Sequence, residues 1–344
     1  MLIAHYYKNR LIPYIFFILI STMLSAQAGQ LNVQFENDGV FATDGNYTNG
    51  FSLSWESKPE LAKLDSPPEN IPKLFWLQDI IRLPLTQNQT QNAWGLKISQ
   101  RIWTPNNIRI VVLQSSQRPY AGLFEIESHT ADYGSTLAQK NWLALGVTGV
   151  KSKAEYVQKK IHNLIGSIPP LGWQFQVEEQ VTLQLAYEVD ALLFRSKAHR
   201  SNNFDNNQWE VSGYSHLSLG NFNTEASAGL LIKWGTGLPN TFGRLSSHFG
   251  HTGNTTQVNS SDNFSIYSRF QLGYRFNDLT IEGELPYESH LDIQQQQARA
   301  VLGMQWTIDN YAISWSLNSY TRAYKSDDKS WYSYGSLSLS CTLF

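Results

Sequence analysis

The sequence predicts an all-β fold, an antiparallel transmembrane β-barrel of about 12 strands with a short helix in an extracellular loop. Three observations lead to this prediction. Long runs alternate apolar and polar side chains, and the chain begins with a secretory signal. No later stretch is long and apolar enough to cross a membrane as a helix.

The alternation is clearest in the first two strand-like runs. Leu31–Glu36 places Leu31, Val33 and Phe35 on one face, and Phe51–Glu56 repeats the pattern. Many later runs extend for around ten residues, whereas strands of soluble sandwiches run nearer five or six. Because lipid offers no hydrogen bonds to an open sheet edge, such strands are expected to close into a barrel.

The chain divides into a signal peptide at 1–28 and an outer-membrane barrel domain at 29–344. The signal combines a positively charged start, the apolar run Leu11–Leu24 and the small-residue cleavage site Ala26-Gln27-Ala28. An uncleaved membrane anchor is the alternative. The apolar run is, however, shorter than the roughly twenty residues that a spanning helix needs.

Composition narrows the class of function. Charged residues make up 16 % of the sequence and nearly cancel, leaving a net charge of −2. This argues against a nucleic-acid partner, which usually requires a basic face, and against disorder. The sequence has 11 Trp, 17 Tyr and 17 Phe, and aromatic strand ends are typical of membrane barrels. Cys341 is the one cysteine, so an intrachain disulfide is excluded.

A polar loop joins the first two runs. Between Glu36 and Gly50 the sequence is rich in Asn, Asp, Gly and Thr. This is far more side-chain oxygen than a hairpin needs, because two-residue turns suffice to reverse a chain. Carboxylate and carboxamide oxygens are ligands for hard cations, so the loop is a candidate cation site. The alternative is an ordinary Asn/Gly-rich loop.

A helix is predicted over Lys151–Ile165. Ser152 and Glu155 have the spacing of a capping box, and a glycine follows as the stop signal. Gln158 and His162 are four residues apart and share a helical face, which is expected to point toward the barrel wall. A histidine near a cation site could deprotonate water while the cation polarises an ester carbonyl. The alternative is an ordinary surface or packed histidine.

Two further clusters of titratable residues are candidates for a site. His248-Phe249-Gly250-His251 has the spacing of half a zinc site, although no Cys or acidic companion lies near it in sequence. It falls within Thr236–Asn263, which reads as a flexible loop. Glu125, Glu127 and His129 share one face of a strand and are expected to line the polar lumen. A buried catalytic set is the alternative for these three residues.

An ordered set of motifs extends over roughly residues 30–235. It comprises Phe35-Glu36-Asn37-Asp38 with Thr43–Gly50, Ile102–Pro105, Arg118–Gly122, Leu145–Gly149, Val157-Gln158 with Ile161-His162, Ile165-Gly166, Gly172–Gln174 and Leu219–Asn221. This set resembles the lipid A 3′-O-deacylase family of outer-membrane barrels. The resemblance lies in the order of the blocks, since no single block is specific.

The resemblance implies a twelve-stranded barrel whose active site lies between the wall and a loop helix. The implied activity is calcium-dependent hydrolysis that removes the 3′-linked acyloxyacyl group of lipid A. His162 would activate water, and Asp38 with Asn37 would bind Ca²⁺, which stabilises the developing oxyanion. Thr48 and Gln158 would position the site or its water.

This chain departs from the family pattern after the helix histidine. Family members carry a Glu shortly after it, whereas this chain has Ser167-Ile168-Pro169-Pro170. The nearest acidic residues further along are Glu178 and Glu179. The group that orients the histidine, or completes the calcium site, therefore has no counterpart at this position.

Three arginines near predicted strand ends have two interpretations. Arg101, Arg109 and Arg118 would either line the lumen and rim or pair with lipid A phosphates, which suit guanidinium geometry.

Two other functions stay open at the level of sequence. The chain could be a non-enzymatic pore or structural barrel, or an outer-membrane phospholipase. A serine nucleophile of the Gly-x-Ser-x-Gly type is not found. For the deacylase we expect lipid A or lipopolysaccharide as substrate, contact with membrane lipid, a monomeric state and an active site on the extracellular side.

Overall fold

The computed structural model describes residues 29–41, 45–61, 75–83, 90–197, 207–251 and 262–343. The predicted signal peptide at 1–28 and part of the polar loop, including Thr43 and Asp44, lie outside the described residues. Within those ranges, no helix has the length and apolar character needed to cross a membrane.

Twelve long strands form one closed antiparallel sheet, which confirms the predicted fold class. Their bounds, with one two-residue strand, are β1 (Gly29–Asn37), β2 (Asn46–Ser57), β3 (Glu60–Leu61), β4 (Gln91–Thr104), β5 (Ala121–Tyr133), β6 (Leu137–Thr148), β7 (Val181–Arg195), β8 (Gln208–Gly220), β9 (Asn223–Gly235), β10 (Asn263–Asp278), β11 (Gln296–Ile308), β12 (Tyr311–Thr321) and β13 (Trp331–Leu343). Long strands that are neighbours in sequence pair with each other. The ring closes because β1 also pairs with β13, and β2 pairs with β4 across the short β3.

The barrel is polar inside and apolar outside. In β1, Gln30, Asn32, Gln34 and Glu36 are buried in the lumen, while the alternate Phe35 is half exposed on the outer wall. The outer wall continues around the barrel as exposed large apolar side chains, among them Leu183, Leu219, Phe270, Leu272, Leu302 and Trp306. This arrangement reverses that of a soluble protein and is typical of a barrel surrounded by lipid.

The two ends of the barrel carry different connections. Gly29 pairs with Leu343, so the first and last residues of the described sheet lie at one end, which we call the terminal end. At the opposite end Asn37 pairs with Asn49 and with Gly335. That end, here named the site end, carries the polar loop, the 105–120 connection and the 149–180 connection.

Three short α-helices lie outside the strands in the described ranges. They are α1 (Trp76–Ile80), α2 (Ala154–Ile165) and α3 (Leu279–Glu282), with single 3-10 turns at Asp38–Phe41, Gly149–Ser152, Trp173–Phe175 and Leu238–Thr241. Helix α1 packs on the outer wall near the terminal end, where Gln78 Nε2 donates to the Ser128 carbonyl at 2.9 Å. Trp76 and Ile80 stay exposed, as expected of a helix at the membrane surface.

A connection from the terminal end folds into the lumen. Residues 236–251, named the plug here, are held by lysines of the wall. Lys97 Nζ donates to the Phe249 carbonyl at 2.6 Å, and Lys140 Nζ donates to the Gly243 carbonyl at 2.7 Å. Over 236–251 the predicted flexible loop is instead fixed in the lumen, because buried lysines of the wall bind its backbone. Residues 252–261 of the predicted loop lie outside the described residues.

Candidate functional site

Asn37 ties the first two strands together at the site end. Its Nδ2 donates to Asn49 Oδ1 at 2.6 Å and to the Thr48 carbonyl at 3.3 Å. Its Oδ1 accepts a hydrogen bond from the Gly39 amide at 2.7 Å. The side chain thus fixes the entry to the polar loop and keeps its carboxamide at the rim.

Asp38 follows immediately and begins a 3-10 turn. Its side chain is buried, and Oδ2 accepts from the Gly45 amide at 3.0 Å. This bond joins the two described ends of the polar loop, so the carboxylate is fixed by the fold of that loop.

Thr48 occupies a β-bulge. The register between β2 and β4 shifts between Tyr47 and Asn49, which leaves Thr48 as the extra residue. Its hydroxyl shares a hydrogen bond of 2.7 Å with the hydroxyl of Thr104 on β4. The bulge thereby connects the polar loop to the wall that carries the helix.

Helix α2 packs on the outside of that wall. Ala154, at its start, belongs to a buried cluster with Ile102, Tyr120 and Trp173. Gly122 permits the close approach, because a Cβ at this position would lie less than 3.0 Å from Ala154. The helix therefore lies directly against β4 and β5.

The buried face of α2 is its polar face. Ala154, Gln158 and His162 recur at every fourth position and are 1 %, 0 % and 6 % exposed. By contrast, Leu164 and Ile165 of the apolar stripe point outward, at 87 % and 67 % exposure. Gln158 and His162 thus point toward the wall, as the spacing predicts.

The start of α2 differs from the predicted capping box. The helix begins at Ala154, and its N-cap is Lys153 in the left-handed region, with no side-chain capping bond. The Ser152 hydroxyl instead donates to the Gly149 carbonyl at 2.6 Å and belongs to the preceding 3-10 turn. The predicted stop at Gly166 is confirmed, since this residue is the left-handed C-cap.

Trp173 fixes the orientation of Gln158. The indole Nε1 donates to Gln158 Oε1 at 2.9 Å in a fully buried contact. Among the described residues, the buried Gln158 Nε2 atom has no hydrogen-bond partner. A buried amide donor without a partner costs free energy, so a site of this kind favours a ligand or a water that accepts from it.

A backbone carbonyl fixes the ring of His162. Its Nδ1 donates to the Ile168 carbonyl at 2.6 Å, which leaves Nε2 of the neutral ring as a proton acceptor. The segment that lacks the family Glu thus orients the histidine through its main chain. Glu178 and Glu179 are both exposed, and Glu179 pairs with Lys151.

Two of the three rim arginines, Arg118 and Arg101, bind polar groups inside the protein. Arg118 donates to Asn46 Oδ1 and to Thr280 Oγ1, both at 2.7 Å. Burial lowers the pKa of Arg118 from its ordinary value, and the Coulombic attraction of Asp278 opposes this change. Arg101 is paired with lumenal carboxylate, which leaves Arg109 as the exposed member of the three.

The two motifs predicted to form one site lie at the same end of the barrel. Asn37 and Thr48 contact each other directly, while Gln158 and His162 share the buried face of α2. Strand β4 connects the pairs, because its end binds Thr48 and its outer face supports the helix.

Three groups at this site were not singled out from the sequence as site residues. They are the Thr104 hydroxyl, the Trp173 indole and the Ile168 carbonyl. The first two lie inside motif blocks that resemble the family, so those blocks carried a signal. The sequence gives no signal for the Ile168 carbonyl, because every residue has a main-chain carbonyl.

The oxygen atoms near Asp38 fit a calcium ion by their chemistry. Asp38 supplies a carboxylate, Asn37 a carboxamide and Thr48 a hydroxyl, all hard donors. Calcium usually takes six to eight oxygens, so main-chain carbonyls, water or substrate would complete such a site.

The closed barrel with an apolar outer wall and a polar lumen defines the class of outer-membrane β-barrel proteins. The chain belongs to the family of outer membrane protein LpxR, whose model matches residues 12–343. This confirms the family that the motifs resemble. Membership supports an outer-membrane lipid A deacylase.

A solved structure agrees with this assignment at the level of the fold. LpxR from Salmonella typhimurium aligns with a TM-score of 0.73 and 15 % identity, covering 91 % of this chain and 99 % of that chain. The β domain of the Bordetella autotransporter BrkA aligns with a TM-score of only 0.38 and 9 % identity, covering 91 % and 98 %. The likeness to the Salmonella protein shows the fold alone, and the likeness to BrkA is too low to support a shared fold. None of the curated proteins compared with the chain matches it.

Proposed function

We propose that this protein is an outer-membrane lipid A 3′-O-deacylase that hydrolyses the 3′-linked acyloxyacyl ester with water activated by His162. The observation that carries the proposal is the fixed ring of His162. Its Nδ1 is bound to the Ile168 carbonyl, and the ring is held against the outer wall at the end that carries Asn37 and Asp38.

The residues of the site suit the steps of ester hydrolysis. Nε2 of His162 takes a proton from the attacking water and returns it to the leaving alkoxide. Gln158 Nε2, which has no hydrogen-bond partner within the described ranges, donates to that water or to the ester oxygen. Thr48, whose hydroxyl is hydrogen-bonded to the Thr104 hydroxyl, positions the rim beside these reacting groups. Asp38 with Asn37 would hold Ca²⁺, which supplies electrostatic stabilisation of the developing oxyanion.

The surroundings of the site suit acyl chains. Exposed apolar side chains of the site end include Val111, Val112, Val150, Ile161, Leu164 and Ile165. An ester between long acyl chains would reach the site along such a surface without leaving an apolar environment. We place this end on the extracellular side, where lipid A forms the outer leaflet, and expect a monomer to suffice because the proposed residues belong to one chain.

Mass spectrometry of lipid A tests this proposal. Outer membranes that contain the protein should lose the 3′ acyloxyacyl group in Ca²⁺ and keep it in chelator. His162→Ala should abolish the release, because the proton acceptor is lost, while the barrel stays folded and heat-modifiable. His290→Ala, at an exposed loop position of the same end, is the matched control and should be fully active. Release retained in His162→Ala would remove this histidine from the mechanism.

The plug argues against a pore, which is the second candidate function. Because residues 236–251 occupy the lumen and are bound to buried wall lysines, steady ion conductance in planar bilayers is not expected. Sustained conductance with unchanged lipid A mass would favour the pore instead. A phospholipase would release acyl chains from glycerophospholipid vesicles in preference to lipid A.

A further inference from the structure

The plug meets the barrel wall at a cluster of metal-ligating side chains. Glu127 and His129 of β5 and His251 of the plug are all buried, and one ligand atom from each lies within 4.8 Å of the other two. This cluster lies inside the lumen, whereas the proposed deacylase site lies on the outer wall. The lumenal cluster therefore has no part in the hydrolysis described above.

Each carboxylate oxygen of Glu127 lies beside one histidine of the plug. Its Oε2 accepts from Lys97 Nζ at 2.8 Å and lies 2.6 Å from His248 Nε2. Its Oε1 lies 2.8 Å from His251 Nε2. The first two contacts orient the carboxylate and engage Oε2, so Oε1 is the oxygen on the side of His251.

His129 has the arrangement of a metal-binding histidine. Its Nε2 lies 3.2 Å from Glu56 Oε2, while its Nδ1 is buried and has no hydrogen-bond partner in the part of the chain that the structure describes. A ligating histidine almost always donates its other ring N–H to a carboxylate, which fixes the tautomer and the ring. Glu56 supplies that carboxylate, and the unpartnered Nδ1 keeps its lone pair for a ligand.

We infer that Glu127, His129 and His251 form a lumenal site for a divalent transition metal of the zinc class, which ties the plug to the barrel wall. Two imidazoles and a carboxylate are borderline donors that suit Zn²⁺, with water as a fourth ligand. Ligand distances of about 2.0–2.2 Å place the donor atoms roughly 3.3 Å apart. Binding therefore draws together ligand atoms that lie up to 4.8 Å apart and widens the 2.8 Å contact between Glu127 and His251.

The positive charge of Lys97 does not prevent binding. Glu125 Oε1 lies 3.9 Å from Lys97 Nζ, in addition to the contact of that ammonium with Glu127. When the metal withdraws charge from Glu127, the lysine can shift toward Glu125. His251, one of the two histidines of the predicted half-site, thus has an acidic neighbour, Glu127, that lies 124 residues earlier in the chain.

Metal titration of the untagged, folded, full-length protein in detergent tests the inference. After treatment with chelator, the wild type should take up one equivalent of Zn²⁺, and Co²⁺ in its place should give the intense visible absorption of a four-coordinate ion. His129→Ala and His251→Ala should each lose this equivalent. His290→Ala, outside the cluster, should keep it.

Each outcome of this titration either supports or overturns the inferred metal site. If the wild type binds neither Zn²⁺ nor Co²⁺, or if the alanine variants retain the full equivalent, the site does not exist. Should an alanine variant fail to fold, His251→Gln keeps a hydrogen-bond donor toward Glu127 and removes the imidazole, so it separates ligation from packing. Because the readout involves no lipid A, its failure is distinct from failure of the proposed deacylase.

Discussion

At the scale of single residues, the candidate site depends on which atoms are already engaged. The Nδ1 atom of His162 is taken by the Ile168 carbonyl, so Nε2 is the acceptor. The amide nitrogen of Gln158, in contrast, is buried without a hydrogen-bond partner among the residues that the structure describes, although the amide oxygen accepts from Trp173. A proton acceptor and an unsatisfied donor on one helical face are what a reacting water requires.

Asp38→Asn tests the calcium assignment at the same scale. The change keeps an acceptor for the Gly45 amide but removes the negative charge. Because affinity for Ca²⁺ depends on the number of charged ligands, the Ca²⁺ concentration for half-maximal lipid A deacylation should rise on the order of tenfold. Asp328→Asn, an exposed aspartate in another connection of the site end, should leave the titration unchanged. An unaltered titration in Asp38→Asn would exclude this carboxylate as a ligand.

At the scale of elements, helix α2 owes its position to small residues at its contact with the wall. Ala154 lies against Gly122 of β5, and Val157 packs on the same buried cluster, while Leu164 and Ile165 point away from the barrel. In a soluble protein this orientation would leave apolar surface in water. Here the outward face lies at the rim of a barrel that lipid surrounds, so the polar face is free to pack inward.

The substitution Gly122→Ala should push helix α2 away from the barrel wall. The added methyl group would lie less than 3.0 Å from Ala154, and overpacking of this kind costs about 1–3 kcal/mol. The barrel should stay folded, while deacylation falls because Gln158 and His162 move with the helix. Gly213→Ala in β8 is a matched control, since its nearest neighbour would lie at an ordinary 3.6 Å. Full activity in Gly122→Ala would show that close contact of α2 is not needed.

At the scale of the whole molecule, the lumen is held together by compensated charges. Lys140 lies 2.9 Å from both Glu188 and Asp190 and also donates to the plug backbone at Gly243. Removing one partner from a buried ion cluster leaves charge uncompensated, which is strongly destabilising. The lumen wall and the plug therefore stabilise each other.

Lys140→Met should accordingly lower the free energy of unfolding by about 3–5 kcal/mol. Lys151→Met is the comparison, because the pair of Lys151 with Glu179 is largely exposed and should matter by no more than about 1 kcal/mol. Urea titration of the heat-modifiable folded band on gels measures both. Equal stability of the two variants would contradict the role given to the plug contacts.

The sequence by itself determined the strands, the closed barrel and the face of α2 that bears Gln158 and His162. Alternation in long runs is a local property, and lipid leaves closure as the one way to satisfy the sheet edges. Only the tertiary structure decided that the plug fills the lumen, that Ile168 orients His162 and that His251 meets Glu127. These contacts join residues through main-chain carbonyls or across the barrel, and no spacing within one segment encodes such a meeting.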